Sequence, residues 1–136
     1  MIDPFTRTKY HPDLKLETWY PKGVLDHALA ILMVRYIEFE ERINEDAFNR
    51  FADLSKITAI HLDFMELADL ASERREASSD LPPVKSAFLA TSAPEYGAAK
   101  MFAALMEPSP IDVQVFRKLD DAARWLGVPA EALRAE

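Results

Sequence analysis

Val84-Lys85-Ser86-Ala87-Phe88-Leu89-Ala90 is an apolar run interrupted only at Lys85 and Ser86. It feeds a turn and an amphipathic segment ended by Pro108 and Pro110; a second apolar run, Ile111 to Phe116, feeds another such segment. Strand, helix, strand, helix in succession predicts right-handed crossovers and a parallel sheet with helices packed on it. The first run is apolar on both faces and reads as a central strand; Asp112 to Phe116 alternates and belongs nearer an edge. Between them, Ser92-Ala93-Pro94-Glu95 matches a capping box, and Tyr96, Ala99, Phe102, Ala103 and Met106 form the buried stripe of the helix it would open.

Upstream, Leu14, Leu16, Thr18 and Tyr20 alternate with Lys15, Glu17 and Trp19, a period of two that predicts a strand stopped by Pro21 and Gly23. Asp26 is the expected N-cap of a long helix whose stripe Leu25, Ala28, Leu29, Leu32, Met33, Tyr36 and Ile37 faces the sheet. Ile31 and Val34 make the opposite side apolar too, so either the N-terminal segment covers it or they are candidate interface residues toward another subunit. Phe48 to Ser55 reads as a short strand and a loop. Phe64, Leu67, Ala68, Ala71 and Arg75 signal a second helix, with Asp63 and Glu66 near its positive end and Arg74-Arg75 near its negative end. Glu76 to Pro83 is a polar loop. Near the end of the chain, Asp120 is the expected cap of a helix that packs Ala122, Ala123, Trp125 and Leu126 inward and closes at Gly127. Pro129 to Arg134 adds one more helical turn.

The fold class is therefore α/β, a mixed, mostly parallel sheet of four to five strands with about four helices. The 136 residues, 49% hydrophobic and 29% charged, suit one domain spanning residues 7–136. Ile2-Asp3-Pro4-Phe5-Thr6 looks like the remnant a cloning vector leaves, so the natural chain is expected to begin near Arg7. A net charge of -7 argues against nucleic acid as a partner. No stretch is long and apolar enough for a membrane span, no leader pattern opens the chain, and a cytoplasmic location is expected. The absence of cysteine removes disulfides and thiolate chemistry.

The three histidines, His11, His27 and His61, have no ligand spacing, so no metal and no cofactor is expected. Glu40-Glu41 and Asp120-Asp121 lie at helix ends, where solvation or capping explains them. Ser92 is not in a nucleophile elbow, and no catalytic residue is nominated. In open parallel sheets ligands sit beyond the carboxyl ends of the strands, which gathers Ser55, Ser92, Tyr96, Gly97 and Arg117 into a candidate binding rim. At Gly97 the missing side chain would admit an anion or, more commonly, close contact with the sheet. A pocket between helices lined by Phe64, Phe102 and Met106 is the other candidate seat.

At Phe51-Ala52-Asp53-Leu54-Ser55-Lys56-Ile57-Thr58 the chain resembles the STAS domain, the fold of anti-sigma factor antagonists and of the cytoplasmic tail of sulfate transporters. Tyr20-Pro21-Lys22-Gly23-Val24-Leu25, Phe48-Asn49-Arg50-Phe51, Pro82-Pro83-Val84-Lys85-Ser86-Ala87-Phe88, Tyr96-Gly97, Val115-Phe116-Arg117 and Trp125-Leu126-Gly127 resemble a group of uncharacterised bacterial STAS-like, or SpoIIAA-like, proteins. The resemblance covers roughly residues 12 to 130. It implies a single STAS-like domain; with a complete core and no assembled catalytic set, the chain reads as a non-catalytic interaction module of that fold, binding a protein partner or itself as a homo-oligomer. The alternative is a small-ligand, nucleotide or lipid-binding protein using the rim. The regulatory antagonists carry a phosphorylated serine in an Asp-Ser-Ser-Gly stretch; the matching residues here are His61-Leu62-Asp63-Phe64. The phosphoacceptor position falls on Leu62, which has no hydroxyl.

Overall fold

The structure, a computed structural model, describes residues 6–135, so Ile2 to Phe5 of the vector-like stretch lie outside the described residues. The strands are β1 (Thr6–His11), β2 (Leu16–Pro21), β3 (Gly23–Asp26), β4 (Asn49–Asp53), β5 (Ile57–His61), β6 (Val84–Leu89) and β7 (Ile111–Phe116). The helices are α1 (His27–Ile43), α2 (Phe64–Ala77), α3 (Ala93–Leu105) and α4 (Leu119–Leu126), followed by a 3-10 turn at Ala130–Leu133. The main sheet has the order β1-β2-β4-β6-β7. Its last four strands are parallel and β1 is an antiparallel edge. This is the mixed, mostly parallel sheet with four helices that the alternation of runs predicts.

Each parallel step moves the same way across the sheet. With right-handed crossovers that puts α1, α2 and α3 on one face and leaves the other to α4. The side chains sort accordingly, because successive strand residues point to opposite faces. Leu16, Phe51, Ala87 and Leu89 pack against Ala122, Ala123, Leu126 and Leu133 on the α4 side. Trp19 and Ala52 pack with Ile37 of α1 and Ala99 of α3 on the other. Gly127 ends α4 with φ at +74°, the left-handed conformation expected there.

Several expectations are corrected. The middle strand is β4, and β6 lies second from the far edge: burial on both faces shows that a strand is covered, not its rank in the order. β3 and β5 form a second, two-stranded parallel sheet. β3 has only four residues and β5 follows β4 after three, so neither stands out in the sequence as a separate strand, and Gly23, with φ at +86°, turns the chain from β2 into β3. On α1 the buried residues are Leu29, Ala30 and Ile37, while Ala28 is exposed and Leu32 is 53% exposed. Phe64 is 55% exposed, because it starts α2 before the helix reaches the sheet; Leu67, Leu70, Ala71 and Arg74 are buried instead.

The caps also differ. Asp26 caps α1 by accepting from Leu29 N at 2.9 Å. The closed capping box opens α2, where Glu66 N donates to Asp63 Oδ1 at 2.8 Å and Asp63 N donates to Glu66 Oε1 at 3.0 Å. At α3, Ser92 makes no side-chain cap, and α4 begins after Lys118 rather than at Asp120.

Candidate functional site: an apolar pocket over a polar row

On the face covered by α1–α3, register lines up Glu17, Arg50, Ser86 and Val113 across four neighbouring strands. The next row in the same direction is Trp19, Ala52, Phe88 and Val115. Three of the four residues in the first row are polar yet buried: Glu17 is 2%, Arg50 7% and Ser86 8% exposed. Charges at such depth persist only when paired. Here α1 contributes Glu38 and Glu41, and α2 contributes Arg74. Glu41 Oε2 accepts from Arg50 Nη1 and from Arg74 Nη2, both at 2.6 Å, and Arg74 Nη1 reaches Glu38 Oε2 at 3.3 Å. Arg50 Nη2 donates to the Phe48 carbonyl at 3.0 Å, and its guanidinium lies 4.7 Å from the Phe48 ring centroid. Arg50 Nε is buried with no acceptor among the described residues.

Burial, and then repulsion from Glu40, pushes the Glu17 carboxyl up from the usual 4.5 to about 7, although Trp19 Nε1 donates to it at 3.0 Å. Burial and the neighbouring Glu73 raise Glu38 against the pull of Arg74. The network therefore ties α1, β4 and α2 into one unit, with carboxylates and guanidiniums closely matched.

Above this face lies a pocket of about 170 Å³. α1 contributes Met33 and Ile37, α2 Leu67 and Leu70, α3 Phe102 and Met106, and the floor includes Trp19 and Phe88. Its polar lining is Arg50, Arg74, Ser86 and Glu95. Glu95, expected to close a capping box with Ser92, is instead 6% exposed and turned to the pocket wall.

Ser55, Ser92, Gly97 and Arg117 are exposed at the carboxyl ends of β4, β6 and β7, and Tyr96 is half-buried. Two of them meet: the Arg117 guanidinium lies 4.6 Å from the Tyr96 ring centroid. Ser55 N donates to Asp53 Oδ1 at 2.9 Å, an Asx turn that closes the loop. A Cβ on Gly97 would meet nothing within 4 Å, so the expected close contact with the sheet is absent. Ile31 is half-buried and Val34 lines the pocket. Phe102 and Met106 are in the pocket wall and Phe64 is not. Leu62, at the phosphoacceptor position, also lines the pocket.

The polar row and Glu95 were not anticipated from sequence. Arg50 shares its strand with Asn49 and Asp53 beside the apolar Phe51 and Ala52, so no local signal marked it for burial; Arg74 and Glu41 read as ordinary helix-end charges. Among the described residues no group of His, Cys, Asp or Glu is placed to hold a metal ion, and no helix is long and apolar enough to cross a membrane.

No protein-family model matches the chain, and no curated protein matches it. Among solved structures it is similar to an uncharacterised protein of the DUF3478 family with a SpoIIAA-like fold from Shewanella loihica PV-4. The TM-score is 0.57 at 14% identity, and the match covers 89% of this chain and 91% of the other. With its parallel order, its helices on both faces and this likeness, the chain has a SpoIIAA-like fold.

Proposed function

We propose that this chain is a binding protein that holds a small apolar molecule between its main sheet and α1–α3. The pocket of about 170 Å³ with its apolar walls supports that reading. The lining is almost wholly apolar, so an apolar occupant would gain by leaving water for it. A cavity of about 150 Å³ takes a benzene-sized molecule. The test is thermal unfolding with toluene, beside Ala99→Leu, which puts a larger side chain into the pocket wall. The parent should gain several degrees and the variant none; a parent that does not shift removes the reading.

A second reading, an interaction module for a protein partner or a second copy, is favoured by Leu32, Phe39 and Ile43. They fall on one line of α1 and are 53%, 45% and 58% exposed. Sedimentation across concentration decides the self-association form. A dimer dispersed by Phe39→Glu supports it, and a monomer throughout ends it.

A further inference from the structure

Among the described residues, Glu95 is the one charged side chain of the pocket lining that has no counterpart. Arg50 and Arg74 are held by Glu41, and Arg74 also by Glu38. Glu95, 6% exposed, makes neither a hydrogen bond nor an ion pair with the other described residues. It is also free of the helix cap that its position in the first turn of α3 would offer: Ser92 forms no side-chain cap. Asp63 and Glu66 show the closed box in this same chain, with the Glu side chain spent on the backbone. At α3 the equivalent Glu lines the pocket instead.

We propose that Glu95 anchors the pocket's ligand, and that the ligand is a roughly benzene-sized apolar molecule carrying a hydrogen-bond donor head, an amine or an alcohol. The inference rests on the pocket-binding reading above. A carboxylate only accepts hydrogen bonds, so a head that satisfies it must donate. Glu95 stands in the first turn of α3, where the positive end of the helix favours negative charge. The one buried donor of the lining left unmet among the described residues is Arg50 Nε, and an anionic head seated on it would crowd carboxyls already in place. Near Arg50 and Arg74 it would meet the carboxyls of Glu41, Glu38 and Glu17, which already match the two guanidiniums.

Titration of the full chain with toluene, benzyl alcohol, benzylamine and benzoate tests this, because the four share one ring and differ in the head. Benzyl alcohol and benzylamine should bind about ten-fold or more tightly than toluene, with benzoate weakest. An advantage confined to benzylamine identifies an ionic contact, and one shared with the alcohol a neutral donor. Glu95→Gln should cut benzylamine binding about ten-fold while leaving toluene within about three-fold. The order of the four probes on the parent decides the matter alone if that variant does not fold. Toluene binding with no gain from a donor head, or benzoate binding as tightly as benzylamine, overturns the role of Glu95 and leaves the pocket reading standing. If none of the four binds, both fall.

Discussion

Arg74 on α2 and Glu41 on α1 form a two-pronged ion pair in the interior, with Nη2 2.6 Å from Oε2 and Nη1 3.1 Å from Oε1. The side chains are 5% and 6% exposed, so water screens them little. A fork matched to a carboxylate holds two helices at a fixed separation, which a point charge would not do.

Removing one partner should therefore be costly. Arg74→Met leaves Glu38 without its cation and Glu41 with Arg50 alone, and an expected loss of about 3–5 kcal/mol follows. Urea unfolding measures it. Arg74→Lys keeps the charge but not the fork and should lose less. A loss under ~1 kcal/mol for the Met variant would show that the pair adds nothing beyond filling space.

Glu17 makes stability depend on pH. Its folded-state value, about 7, lies above the ordinary 4.5, so the folded chain holds a proton that the unfolded chain has released. The stabilisation is complete below about pH 4.5 and is lost as pH rises through about 7, a decline on the order of 3 kcal/mol. Glu17→Gln should flatten that part of the profile and be the more stable chain at pH 8. Comparing the two chains cancels the contributions of Glu38 and His11, which are also shifted. Parallel profiles would refute the assignment.

The caps separate by mutation. Asp63→Ala removes a closed capping box and should cost about 0.5–2 kcal/mol. Ser92→Ala removes a hydroxyl that caps nothing and should stay within ~0.5 kcal/mol. Chemical denaturation of both variants ranks them, and equal losses would restore the cap at Ser92.

Two glycines should respond with opposite signs. Gly127 has φ at +74°, so Gly127→Ala strains the end of α4 and should lose about 1 kcal/mol. Gly97 is helical with open space where a Cβ would stand, so Gly97→Ala should gain about 0.5–1 kcal/mol. Melting temperatures check both; a destabilised Gly97→Ala would point to a need for bare backbone there.

What the sequence by itself determined are the features written in neighbouring residues. The run at Val84, the alternation read over Leu14 to Tyr20, the cap at Asp26 and the glycine at Gly127 each act over one turn or one strand, and each is found where local chemistry puts it, save that Leu14 and Lys15 fall in the turn before β2. Tertiary structure alone decided what depends on residues distant in the chain. Glu17, Arg50 and Ser86 become one row only when β2, β4 and β6 settle into register, and Arg74 becomes an interior charge only when α2 lies against Glu41. The same packing rotated Leu32 outward. At α3 it turned Glu95 from the helix cap toward the pocket, because the direction of a side chain is set by packing from elements that are not local in sequence.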